Sequence, residues 1–336
     1  MAAGDRLDRI GALATSVADA GLDGIVFVES GRTAYLSVAA AAIAAPSLQY
    51  STGIAVAFPR SPMVTATVAW ELAETTGGRF RLGLGTQVRA HIERRYGAEF
   101  DPPGPRLREY VEAVRAIFRA FRGDETLDFS GDFHELSLLP GAWSPGAIDV
   151  ADPPIDIAAV GPWMTRMAGA VADGVHVHPL HSRRYLTERF LPGLADGASG
   201  AGRSVDDLEL TVPVFTIVGD TAAERARWAD LARAQIGFYG STTNYTFMFD
   251  MLGFEGTSAA LNEKLKVGDI PGMMSLITDE MLEHFAVTST WDGLADALRD
   301  KYAGIADRLV LYFAGQYADA DPDTLRRFGE TAAALR

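Results

Sequence analysis

Cysteine is absent from the 336-residue chain, which removes disulfides, thiolate metal sites, iron–sulfur clusters and thiol nucleophiles from consideration. Basic charge is scarce. Lys and Arg number 30 against 44 Asp and Glu, and the net charge of −14 argues against a general affinity for nucleic-acid backbones. That balance still allows a local basic pocket for an anionic cofactor. No apolar run is long enough to span a bilayer, the Ala-rich stretch 38–45 included. Residues 1–22 lack signal-peptide form, because Asp5, Asp8 and Asp19 interrupt any apolar run. Polar low-complexity linkers are missing too. These absences predict a cytoplasmic protein of one domain, residues 1–336, with neither nucleic acid nor membrane as a partner.

What is present is a large apolar fraction, 48%, arranged with period. Short apolar runs alternate with amphipathic helical patterns, the signature of repeated βα units and a parallel sheet. Leu7, Ile10, Leu13, Ala14 and Val17 keep helical spacing up to Gly21. Seven strands are predicted, over 24–29, 49–57, 79–84, 155–160, 175–178, 208–218 and 308–313. A small hairpin is predicted over 129–136, turning at Ser130-Gly131-Asp132. Leu107, Tyr110, Val111, Val114, Ile117, Phe118 and Phe121 mark the clearest amphipathic helix. Thr221 and Glu224 fit a capping box, and Asp321-Pro322 a cap on the closing helix. Residues 238–288 read as an irregular insertion before the last strand, with one helix at 279–285. An eighth strand has only Met1 to Gly4 to draw on, so the first strand is expected to be short or missing.

Several motifs carry chemistry. Leu82-Gly83-Leu84-Gly85-Thr86-Gln87 leaves a strand toward a helix, where backbone N–H groups can bind phosphate or simply make a tight turn. It lacks the third glycine of a dinucleotide fingerprint. Ala158-Ala159-Val160-Gly161-Pro162 offers a similar helix start. Glu29 ends an otherwise apolar strand, either as a site acid or in a salt bridge to Arg32. His176 and His178 sit two apart, a spacing that suits a metal pair, but no complete ligand set accompanies them and no metal is expected. His178 reads as a pocket-lining donor. The aromatics Phe238, Tyr239, Tyr245, Phe247, Phe249 and Phe254 suit core packing or a lid.

In this order the segments resemble the luciferase-like flavin and F420-dependent oxidoreductases. The resemblance runs through Gly85-Thr86, Glu93, Tyr96-Gly97, Phe100, Arg106 to Glu112, and Phe129-Ser-Gly-Asp-Phe133. It continues through Pro154-Ile-Asp-Ile-Ala-Ala-Val-Gly-Pro162, Ala168-Gly-Ala-Val-Ala-Asp-Gly174 and His178-Pro179. Thr52-Gly-Ile-Ala-Val-Ala-Phe-Pro-Arg-Ser-Pro62, Phe238-Tyr-Gly-Ser-Thr242 and Phe285-Ala-Val287 are similar to an F420-using subgroup. The match covers roughly residues 5–313 and is specific as a set.

The resemblance implies a (β/α)8 TIM-type barrel forming homodimers, with an insertion over its open end. It implies coenzyme F420, or alternatively FMN, resting on a bulge with a non-prolyl cis peptide that matches Gly53-Ile54, with Ala55 beside it. It implies phosphate contacts at Thr86, Gln87, Val160 and Gly161. The expected activity is hydride transfer between the deazaflavin and a small organic substrate, with Glu29, His178 and Tyr312 as candidate proton donors. The chain departs from the sugar-phosphate dehydrogenases of this group: Glu29-Ser30 replaces their Asp-His pair, and Val88-Arg89 falls where they carry an acid. Three alternatives remain open: an FMN-dependent monooxygenase, a metal-dependent hydrolase using His176 and His178, and a cofactor-free partner subunit.

Overall fold

The computed structural model describes residues 1–321 and 323–336, with Ala3 described by its backbone alone. The predicted cap at Asp321-Pro322 therefore lies partly outside the described residues. Asp321 does accept from the Thr324 amide through its carbonyl, 3.0 Å. The chain forms two compact units. The first comprises Met1–Ala159, Trp163–His176 and Leu194–Glu209, and the second Val160–Pro162, Val177–Gly193 and Leu210–Arg336.

In the first unit the expected short strand β1, Ala2–Ala3, pairs in parallel with Phe27 and Val28 of β2, Gly24–Val28. Helix α1, Leu7–Asp19, buries Ile10, Ala14 and Val17, and Gly21 stops the chain at φ +78°. β2 pairs with β3, Gln49–Thr52, in a register from Gly24↔Gln49 to Phe27↔Thr52. Gly24 is required there, since a Cβ would lie 2.2 Å from the Gln49 carbonyl oxygen. β4, Ala55–Val56, and β5, Phe80–Gly85, follow on either side of α3, Pro62–Thr75. β5 in turn pairs with β8, Ile155–Ala159, through Leu82↔Ile155 to Leu84↔Ile157. Every one of these pairings is parallel.

Helix Pro103–Arg122 buries all seven predicted apolar positions. Each such side chain contributes on the order of 1.5–3 kcal/mol. β6, Phe129–Ser130, and β7, Glu135–Leu136, form the predicted hairpin, with its loop over 131–134. Glu109 of the long helix holds that loop by accepting from the amides of Asp132, Phe133 and His134 at 2.7, 2.8 and 2.7 Å. Helix α2, Ala34–Ala44, was not anticipated, because a run whose polar side chains are Tyr35 and Ser37 alone has no amphipathic period to read.

In the second unit β10, Glu209–Val218, is a ten-residue strand whose two halves hold different partners. Thr211–Val214 pair with β12, Arg308–Leu311, and Phe215–Val218 pair with β11, Ala286–Ser289. The Thr221/Glu224 capping box forms as expected and opens helix Ala222–Gly240. The expectation that 238–288 is irregular is corrected. Besides the predicted helix Asp279–Phe285, this stretch holds helices Thr246–Asp250, Thr257–Lys266 and Ile270–Ser275, and it ends in β11. β11 follows the last of these with no breaking residue between them, so nothing in the sequence punctuates it. β9, Gly174–Val177, whose first three residues belong to the first unit, ends one residue early and leaves His178 just beyond the strand. Tyr312 likewise lies one residue past β12, not on the last strand as read.

Candidate functional site

In the first unit the features gather at the C-terminal ends of the parallel strands, where α/β folds place their sites. β3 stops at Thr52 and the chain resumes as β4 at Ala55 after a cis Gly53-Ile54 peptide, at the position expected from the sequence. The Gly53 amide donates to the Phe27 carbonyl at 2.8 Å, and a Cβ on Gly53 would meet Val26 Cγ1 at 2.2 Å. Thr52 bridges the gap with its hydroxyl. Its Oγ1 donates to the Gly83 carbonyl at 2.7 Å and accepts from the Gly83 amide at 2.9 Å. Ile54 covers Gly85, whose Cβ would come within 2.8 Å of Ile54 Cγ1.

Beyond β5, Gln87 has φ +59°, the only non-glycine residue with positive φ among the described residues. Its Oε1 accepts from the Val88 amide at 2.9 Å, and the Thr86 hydroxyl donates to the Gln87 carbonyl at 3.0 Å. Arg89 pairs with Asp101 and, at 3.0 Å, with Glu93.

Glu29 is buried, its side chain 6% exposed, and pairs with Arg60 instead of Arg32. Both carboxylate oxygens accept from that guanidinium, and Oε2 also accepts from the Val56 amide at 2.8 Å. His176 faces Ser51 Oγ at 3.0 Å, with Asp156 Oδ2 at 3.7 Å. Asp156 accepts two hydrogen bonds from Arg81, at 2.9 and 2.6 Å. The sequence reading missed this buried network, since Ser51, Arg81, Asp156 and His176 come from four different strands. Arg60 was missed for a similar reason: it appeared only inside the Thr52 to Pro62 stretch.

In the second unit Val160 accepts from the Tyr185 hydroxyl through its carbonyl at 2.6 Å. Gly161 stands directly before helix Pro162–Val171, and a Cβ there would meet nothing within 4 Å. His178 is held between Tyr239 and Tyr245, with ring centroids at 4.7 and 4.5 Å. Its Nδ1 accepts from the Leu180 amide at 3.1 Å, which leaves Nε2 to carry the proton of the neutral ring. Burial, with His181 adding to it, pushes the His178 pKa down to about 3.

Tyr312 reaches the Tyr239 hydroxyl at 2.7 Å, and its ring packs on Phe215 at 4.8 Å. Burial and the neighbouring Tyr239 hold the Tyr312 phenol protonated far above the ordinary range. Two of the three candidate donors, His178 and Tyr312, are thus linked through Tyr239, while Glu29 is engaged elsewhere in the first unit. Of the aromatics in the insertion, Phe249 is core and Phe238 is exposed, but Tyr239 and Tyr245 flank the histidine.

Among the described residues no group of three or more His, Asp or Glu could hold a metal ion. Among them, too, no helix is long and apolar enough to cross a membrane.

The sequence matches the model of the family described as luciferase-like monooxygenase over residues 1–308. An uncharacterized protein of Mycobacterium tuberculosis is 38% identical over 309 residues, spanning 92% of this chain and 91% of its own length. An F420-dependent glucose-6-phosphate dehydrogenase of Microbacterium testaceum is 33% identical over 179 residues, 52% of each chain. Among solved structures, the coenzyme F420-dependent tetrahydromethanopterin reductase from Methanopyrus kandleri is similar with a TM-score of 0.76 at 18% identity. That likeness covers 91% of this chain and 89% of the other. It shows the fold, the α/β fold of the luciferase-like barrel class that the sequence led us to expect.

Proposed function

The chain belongs to the luciferase-like monooxygenase family, and from that membership we propose that it is an F420-dependent oxidoreductase acting on a small organic substrate. The observation that carries the reading is Gln87. A glutamine in the left-handed region costs on the order of 1–3 kcal/mol, and such residues persist at ligand-holding turns. This one stands two residues past the end of the buried strand β5. Gly161 fits in the same sense: neither a positive φ nor a crowded neighbour requires glycine there, and the open space before a helix suits an anionic group. In the first unit we assign Gly53, Ile54 and Ala55 to the cofactor ring, and Thr86 and Gln87 to its phosphate. Val160 and Gly161 of the second unit are assigned to phosphate on their own evidence.

When bound, a deazaflavin supplies hydride chemistry, because it lacks the nitrogen at the flavin N5 position. What remains for the protein is to orient the substrate and to hold a proton at a defined atom. His178 holds one on Nε2, and Tyr312 holds one on its hydroxyl, shared with Tyr239. Both groups are neutral, so each can donate a hydrogen bond to a substrate oxygen. Giving up the proton outright is harder, because it would leave an imidazolate at His178 and because burial makes the Tyr312 phenol a weaker acid.

The family's description as a monooxygenase favours a second reading, which we take to be an FMN-dependent enzyme. Parallel fluorescence titrations with F420 and FMN separate the two. Tighter binding of F420 is expected. Equal or tighter binding of FMN would falsify the F420 reading.

A further inference from the structure

We propose that Glu29 and Arg60 act as one positioning pair that fixes the main chain of Val56 and, through it, the Gly53–Ala55 segment. The proposal rests on the assignment of that segment to the cofactor.

The argument begins with backbone hydrogen bonds. β2 pairs with β3 as far as Phe27↔Thr52, and the Gly53 amide adds one bond to Phe27. After that the chain steps away, and among the described strands β4 pairs with β5 alone, through Ala55↔Leu84 and Val56↔Gly85. Val56 is 1% exposed, so its remaining peptide groups cannot turn to water without cost.

Side chains do what a neighbouring strand would otherwise do. Glu29 directly follows the last residue of β2, and its Oε2 takes the Val56 amide at 2.8 Å. Arg60 Nη1 donates to the Val56 carbonyl at 2.8 Å and to Glu29 Oε2 at 3.0 Å, while Nη2 donates to Glu29 Oε1. The guanidinium is backed by the Tyr35 ring, 5.2 Å from its centroid. Glu29 thus extends β2 by one residue's worth of pairing, and Arg60 locks the carboxylate in place. Removing either partner leaves a buried charge without its counter-charge. A carboxylate engaged on both oxygens is suited to holding a neighbour still, and this assigns Glu29 to positioning, not to proton donation.

Fluorescence titration of the full chain with F420 tests the pair, using Glu29→Ala, Arg60→Ala, Glu29→Gln and Arg60→Lys. Both alanine variants are expected to weaken F420 binding at least tenfold and to shift the absorbance band of the bound cofactor. The far-UV circular dichroism should stay that of the wild type. Glu29→Gln, which keeps an acceptor for the Val56 amide, should recover part of the affinity. In the cofactor-free protein, amide exchange at Val56 should accelerate in both alanine variants. A purely stabilising pair would lower the melting temperature and leave affinity and absorbance untouched, and that outcome overturns the proposal. So does unchanged exchange at Val56, whatever the cofactor. If the wild type binds FMN and not F420, the functional reading fails by itself, and the same variants titrated with FMN decide the pair. If it binds neither, the cofactor segment and the pair's role fall together. Should the alanine variants not fold, Glu29→Gln and Arg60→Lys carry the comparison.

Discussion

His181 is fully buried, with its ring nitrogens near the His178 carbonyl at 2.9 Å and the Tyr302 hydroxyl at 3.1 Å. Burial lowers its pKa from the ordinary 6.5 to about 4. The sign follows from linkage. Between those two values the unfolded chain binds a proton that the folded chain excludes, so stability falls as pH drops from about 6.5 toward 4. Fully developed, the loss is on the order of 3–4 kcal/mol. His178 acts in the same direction. Calorimetry between pH 7 and pH 4.5 should therefore show a falling melting temperature, with a smaller fall in His181→Gln, which cannot titrate. Equal falls in the two proteins would show that His181 does not exclude the proton. At this scale the sequence shows which residues bear chemistry but not their partners. Glu29 was matched to Arg32, three positions away, whereas the chain returns Arg60 to it from 31 positions away. Tyr312 finds Tyr239 across 73. Such pairings are set by strand order, which local spacing does not encode.

Helix Pro162–Val171 opens directly after Val160-Gly161. A Cβ at Gly161 enters open space, so Gly161→Val should fold as the wild type does. It should nonetheless weaken F420 at least tenfold, about 1.4 kcal/mol, by filling the room before the helix. Unchanged affinity in the folded variant would remove Gly161 from the site. Elements of this kind were legible where chemistry punctuates them. β2 and β10 stand out as apolar runs, Gly21 ends α1, and Thr221 with Glu224 announces its helix. The predicted break at Gly53-Ile54 was legible through the resemblance. Legibility failed where punctuation is missing. α2 is apolar nearly all round, the three helices between 246 and 275 are short and weakly patterned, and β11 begins at Ala286 straight from a helix.

Helix α2 also bears on the whole molecule. Its eleven residues include no charge, and Leu36 and Ile43, seven positions apart on one face, are 54% and 77% exposed. Ala40 lies between them on the same face. Leaving such a stripe in water forfeits roughly 1.5–3 kcal/mol for each large side chain, and a two-fold axis would bury it against itself. We propose that this face joins two copies of the chain. A net charge of −14 makes the copies repel, and that repulsion is screened by salt. Apolar contact between like-charged copies should therefore tighten as ionic strength rises, whereas an interface built on ion pairs would loosen. Leu36→Asp with Ile43→Asp places two carboxylates per copy in the contact. Sedimentation velocity should then show association weakened at least a hundredfold, about 2.7 kcal/mol, with secondary structure unchanged. A wild-type monomer, or a double variant that sediments as the wild-type dimer does, would show that the stripe is not the interface.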